Sequence, residues 1–193
     1  MAGQEISARR GPPQDRTLRN MPRTSAGILL YRHRGGVLEV LLVHPGGPFF
    51  GHKDLGNWSI PKGEVDSTDS DHQAAARREF LEEVGHPVPA GPLIDLGSIR
   101  QKSGKIVYAW AVGGDIATAP MSSNFIELQW PLFSGRKKGF PEVDKWVYFG
   151  PEQARLHIKD TQAPLLDRLD AALAAGAGAA AEPDAAPDQA ARR

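Results

Sequence analysis

The segment from Gly63 to His86, GEVDSTDSDHQAAARREFLEEVGH, constrains this chain more than any other, because it commits one helix to carrying three carboxylates close together. Ser70 and Gln73, in Ser-x-x-Gln spacing, predict a capping box and a helix that begins near Ser70, with Asp71 in the first turn where the helix dipole favours an anion. The helix is expected to end at Gly85, with Pro87 beyond it. Glu79, Glu82 and Glu83 then stand at i, i+3 and i+4, where like charges repel unless a cation lies among them. The natural candidate is a metal ion.

On a wheel with successive residues about 100° apart and Ala74 at zero, Ala76, Phe80, Val84 and Leu81 span roughly 200° to 340°, and the three glutamates fall at roughly 80° to 180°. The acids are therefore expected on a face of their own, opposite the core. Ala75, near 100°, is expected beneath them, where its small side chain would let a loop approach. Arg78, four residues before Glu82, can orient that carboxylate. Arg77 falls inside the apolar arc at roughly 300°, an unexpected place for a charge.

Around this helix the pattern is that of an α/β domain. Ser25–Arg32 and Val37–His44 are apolar runs joined at Arg34-Gly35-Gly36, a predicted hairpin; Leu93–Arg100 and Lys105–Val112 flank Lys102-Ser103-Gly104 as a second one. A Gly/Pro-rich loop over Pro45–Asn57 leads into Trp58-Ser59-Ile60-Pro61-Lys62-Gly63, and loops this long in compact domains are usually functional or disordered. A strand over Lys145–Phe149 and helices over Pro151–Ile158 and Ala163–Ala174 complete the order. The composition of the ends predicts disordered tails over residues 1–22 and 175–193, leaving one domain over residues 23–174.

Charge and cysteine content narrow the function. With 23 basic and 23 acidic side chains the formal net charge is +0, so no overall field favours nucleic acid or an anionic membrane, and a nucleic-acid partner is not expected. The chain has no cysteine, which excludes disulfides, thiolate metal sites and thiol nucleophiles and fits a reducing, cytoplasmic location. No apolar run approaches the roughly 18 to 20 residues of a membrane helix. Oligomeric state is not legible.

The loop and helix together resemble the Nudix box, Gly-x5-Glu-x7-Arg-Glu-U-x-Glu-Glu-x-Gly-U with U apolar, through Gly63, Arg78, Glu79, Phe80, Glu82, Glu83 and Gly85. SAGILLYR, LEVLLVHPGGPF, WSIPKGE, KSGKIVYAWAVGGD and FPEVDKW extend the likeness to a group of predicted nucleotide pyrophosphohydrolases in that family, and WSIPKG resembles the W-x-x-P-K-G stretch of diadenosine tetraphosphate hydrolases. Two positions depart from the pattern. Gly63 to Arg78 is one residue longer than the box, so its first Glu corresponds either to Asp69, counted from the glycine, or to Ser70, counted from the helix; and His86 replaces an apolar residue. The resemblance implies the Nudix fold, a mixed β-sheet sandwiched between helices.

An all-oxygen set of carboxylates suits Mg²⁺, or Mn²⁺, and magnesium characteristically relies on substrate phosphates as further ligands. By resemblance, Glu79, Glu82, Glu83 and the Gly63 carbonyl hold the metal, and a pyrophosphate linkage in a nucleoside diphosphate-X substrate is hydrolysed, with dinucleoside polyphosphates such as diadenosine tetraphosphate favoured. The general base is either a box glutamate, Glu82 or Glu83, or Glu142 in FPEVD, which reads equally well as a surface turn acid. Lys62 abuts the metal loop and can reach a phosphate; Lys102, Lys105, Arg136, Lys137 and Lys138 lie on other predicted loops, where solvated charge is the commoner explanation. Trp58, Phe49, Phe50 and Tyr108 could stack on a base, Trp58 best of these, although aromatics at strand ends are more often core. The alternative is a nucleotide-binding regulatory module that keeps the fold and lacks turnover.

Overall fold

The computed structural model describes residues 23–116 and 123–176. Both segments read as tails lie outside the described residues, apart from Ala175 and Gly176, where the last helix ends.

β1 (Thr24–Arg34) and β2 (Val37–Pro45) form the first hairpin, antiparallel from Tyr31↔Val40 to Arg34↔Val37. Its two-residue turn needs positive φ at both positions, and Gly35 and Gly36 supply 59° and 78°. β3 (Lys62–Glu64) pairs with the other end of β1, placing Gly63 opposite Ala26. β4 (Ile94–Arg100) and β5 (Ile106–Gly113) form the second hairpin, and β5 runs parallel to β1 along Thr24–Tyr31. β8 (Val143–Phe149) closes the sheet beside β2, giving the order β4-β5-β1-β2-β8 with β3 attached to β1. β6 (Phe125–Gln129) and β7 (Lys137–Pro141) form a separate antiparallel pair that the sequence reading left unassigned.

The strands read as continuous apolar runs because both faces of the sheet are covered. Ala26, Ile28, Leu30, Leu41, Val43 and Val112 face α1 (His72–Val84) and its Ala75, Ala76, Phe80 and Val84. Leu29, Tyr31, Leu42, Val107, Ala109 and Ala111 face the opposite way, onto α2 (Pro151–His157) and α3 (Ala163–Ala174), which contribute Ala154, Leu165, Leu166 and Leu169. The result is a mixed sheet between helices. Among the described residues no helix is long and apolar enough to cross a membrane.

Two expectations about α1 are corrected. The cap is Asp71, whose carboxylate accepts from the Ala74 N–H at 2.8 Å, so the helix starts two residues after Ser70 and the Ser70–Gln73 box does not form. The wheel is also rotated. Ala75, Ala76, Phe80, Glu83 and Val84 are buried, whereas Leu81 is 49 % exposed and Arg77 is exposed. The buried arc therefore runs from roughly 100° to 280° and includes Glu79 and Glu83 instead of opposing them. Arg77 needs no partner because it lies outside that arc, and Ala75 belongs to the core rather than to the approach of a loop.

Candidate active site

The acids of α1 face the start of β3. Glu83 is 6 % exposed and accepts the backbone N–H of Lys62 at 3.0 Å. Glu79 lies against Gly63 so closely that a Cβ built on that glycine would fall on its carboxylate. Glu82 is more open, with its side chain 37 % exposed, and accepts from the Asn124 side-chain amide at 3.1 Å. Gly63 can lie here because β3 is pinned to β1 at Ala26↔Gly63, with a neighbouring close approach at Gly27, where a Cβ would meet the Lys62 Cβ at 2.5 Å and the Pro61 carbonyl at 2.6 Å.

Arg78 ties the loop to the helix. Its Nε and Nη2 donate to both oxygens of Asp69, at 3.0 and 2.9 Å, Nη2 also donates to the Glu64 carbonyl at 3.0 Å, and Nη1 donates to Glu79 at 2.7 Å and Glu82 at 3.5 Å. Asp69 in turn accepts the Asp66 N–H at 2.8 Å, and its side chain is 6 % exposed. Of the two candidates for the box's first acid, Asp69, counted from the glycine, is the one that meets Arg78, in a bidentate pair.

Burial dominates the electrostatics. It pushes the Glu83 carboxyl up to about 8, opposed by Lys62 through its charge and its backbone N–H, and assisted by Glu142 and Glu79. Glu79 is also raised by burial, with Arg78 pulling it down and Glu82 and Glu142 pushing it up. Asp69 is lowered by its bonds to Arg78. Two buried carboxylates whose burial outweighs the Arg78 and Lys62 charges beside them form a donor set suited to a hard divalent ion, and the missing side chain at Gly63 leaves its backbone against Glu79. Among the described residues no three acids or imidazoles are already drawn together tightly enough to enclose an ion, and Glu82 is the most open of the three glutamates.

Glu142 follows β7 and is exposed, close enough to Glu79 and Glu83 to act on both charges. Its N–H donates to the Asn124 carbonyl at 2.8 Å and its carbonyl accepts from Gly46, also at 2.8 Å, so one short stretch of backbone positions both Glu142 and the amide that holds Glu82. Lys62 borders the acids and makes no ion pair among the described residues.

The aromatic candidates fare differently. Trp58 is 2 % exposed, donates its Nε1 to Asp54 at 2.7 Å, and packs edge-on against His44, Phe149 and His157; it is core and offers no free face to a base, which corrects the stacking expectation. Tyr108 is half-buried with its ring stacked on His72 at 4.4 Å, so that face is already taken. Phe49 meets Trp130 edge-on. Of the loop cations, Lys105 pairs with Glu64 at 2.7 Å and Lys137 with Glu127 at 3.2 Å.

Two residues escaped the sequence reading. Asn124 precedes a strand that carries no strong periodic signal. Lys159 follows α2 and reaches the site because Trp58 and Ile158 form a parallel bridge, with the Lys159 N–H donating to the Trp58 carbonyl at 2.9 Å. Burial lowers the Lys159 ammonium below its ordinary range; Lys62 pushes the same way and Glu83 opposes.

The fold is similar to that of the NUDIX domain of Shewanella oneidensis NrtR complexed with ADP-ribose (15% identity over 83% of this chain and 94% of that one, TM-score 0.60). It is also similar to a C. elegans Ap4A hydrolase in a binary complex (22% identity, 78% and 98%, TM-score 0.54) and to a NUDIX hydrolase from Nitrosomonas europaea (14% identity, 78% and 90%, TM-score 0.54). No curated protein matches the chain. The NUDIX domain model matches residues 21–169, well over half of the 193 residues and the whole of the loop and helix that gather Gly63, Asp69, Arg78 and the three glutamates, so the chain belongs to the Nudix family.

Proposed function

We propose that the protein hydrolyses a pyrophosphate linkage in a nucleoside diphosphate-X substrate with the help of Mg²⁺ or Mn²⁺, and that dinucleoside polyphosphates are the favoured subclass. The observation that carries the reading is the gathering of two buried carboxylates, Glu79 and Glu83, whose burial outweighs the Arg78 and Lys62 charges beside them, with the bare backbone of Gly63 against Glu79. Glu79, Glu82, Glu83 and the Gly63 carbonyl would hold the ion. When bound it supplies neutralisation of the diphosphate and a lowered pKa for the attacking water.

The chain's own residues do the rest. Arg78 fixes Glu79 and Glu82 relative to the loop, and Asn124 holds Glu82 from the opposite side. Lys62, beside the acids, offers its ammonium to a phosphate oxygen. Glu142, exposed and near the acids, serves as general base for the water. A small nucleotide is the partner, and the cysteine-free sequence is compatible with work in a reducing cytoplasm.

Purified protein with Mg²⁺ or Mn²⁺ is expected to release mononucleotide from diadenosine tetraphosphate or a related substrate in a nucleotide panel, and Glu83→Gln to abolish release. No product from any member of the panel would overturn the reading. The alternative, a nucleotide-binding module without turnover, is favoured by one observation: Arg78 already occupies Glu79 and Glu82. Equal nucleotide binding by wild type and Glu83→Gln, with no turnover by either, would establish it.

A further inference from the structure

An open cleft of about 270 Å³ is lined by Gly56 and by polar residues from two parts of the chain: Gln101, Lys102 and Ser103 from the β4–β5 turn face Lys159, Asp160 and Thr161 from the α2–α3 connection. The two walls are remote in sequence and belong to different layers of the fold.

Lys159 is the central feature. Its backbone is fixed on both sides, since its N–H donates to Trp58 and its carbonyl accepts from Gln162 at 2.7 Å and Ala163 at 3.2 Å. Gln162, fully buried, then accepts the Ile60 N–H at 3.0 Å, locking the connection to the stretch that leads into Lys62. The ammonium makes no hydrogen bond or ion pair within the described residues, yet it is close enough to feel both Lys62 and Glu83. Two half-buried lysines held near each other repel, and Glu83, whose charge reaches both, is one acid against two cations, so the pair keeps an excess of positive charge that suits an anion. Lys102 is exposed on the opposite wall, with the Ser103 and Thr161 hydroxyls as further donors. Asp160, also on the cleft, is exposed and opposes an anion; the lysines outnumber it two to one.

We infer that this cleft binds the phosphates of the substrate lying beyond the linkage that is cut, with Lys159 and Lys102 as their ligands and Lys62 as the link to the carboxylates. The lysines and hydroxyls suit a compact polyanion, and no aromatic ring lines the cleft to stack on a nucleobase. The X group is therefore phosphate-rich, a chain of three or more phosphates, rather than an uncharged sugar. This rests on the proposed function for the identity of the bond that is cut, but not for the binding itself.

The test is calorimetric titration of the full chain, free of metal, with inorganic tripolyphosphate. Lys159→Met is expected to weaken binding at least about tenfold. Lys102→Met, on an exposed turn where the fold is not at risk, should weaken it measurably, and Lys138→Met, on β7, which does not line the cleft, should leave it unchanged. Wild-type affinity in both Lys159→Met and Lys102→Met overturns the inference, as does an equal loss in all three variants. Tripolyphosphate binding lost in Lys159→Met, in a protein that turns over no nucleotide, would sink the proposed activity and leave the cleft standing; turnover with binding indifferent to Lys159 would do the reverse.

Discussion

At the scale of single residues, the site places charge where water cannot help it. Burial pushes the Glu83 carboxyl from its ordinary 4.5 up to about 8, so its folded pKa is raised. A raised acid favours the native state fully below its unfolded value, and that contribution is lost as pH rises through the folded one. Metal-free protein is therefore expected to lose several kcal/mol of stability between about pH 4.5 and pH 8. Thermal melts across that range should show the slope in wild type and not in Glu83→Gln; identical pH profiles would refute it. Asp69 behaves oppositely: its carboxylate is lowered by Arg78, so it stabilises above its unfolded pKa and loses that effect in acid. Asp69→Asn should cost about 1.5–3 kcal/mol, the range for hydrogen bonds to charged groups, and should lower activity through the loosened Glu79 and Glu82. Chemical denaturation and initial rates measure the two effects separately.

At the scale of elements, the contact between β3 and α1 is decisive. In Gly63→Ala the new Cβ would displace the tip of Glu79, a flexible side chain, so the fold should survive while the carboxylate moves. A displacement of about 1 Å can reduce rate on the order of 100-fold, and kcat should fall by that order with the melting temperature nearly unchanged. The stretch before β3 makes the contrary prediction. Trp58→Phe removes the bond to Asp54 and leaves a gap among His44, Phe149 and His157, so stability should drop by roughly 2 kcal/mol while KM changes little. A large rise in KM with unaltered stability would restore Trp58 as a stacking platform.

The whole molecule brings together three segments distant in sequence around the acids: the β3 loop, the Asn124–Glu142 arm and the α2–α3 connection. Glu142 belongs to this scale, because its place depends on the pairing of β6 with β7 and on backbone bonds to Asn124 and Gly46. Glu142→Gln should lower kcat by on the order of 10² or more and remove the acid limb of the pH–rate profile, with nucleotide affinity retained. An unchanged profile would return the role of base to a box glutamate.

Sequence alone determined the local features: both hairpins, with Gly35-Gly36 as a positive-φ turn; the helix stop at Gly85; and the crowding of Glu79, Glu82 and Glu83 that calls for a cation. These are legible because turn chemistry, periodicity and like-charge spacing act over a few residues. The tertiary structure decided what depends on which neighbour approaches. Whether Asp69 or Ser70 meets Arg78, whether α1 turns its acids toward solvent or toward β3, whether Trp58 is core, and whether Lys159 stands beside Glu83 are fixed by contacts across distant parts of the chain. A helical wheel assigns the buried face by hydrophobicity alone. Here the buried face includes two carboxylates, because a glycine on the neighbouring strand leaves room for Glu79 and the Lys62 backbone N–H beside it gives Glu83 a donor.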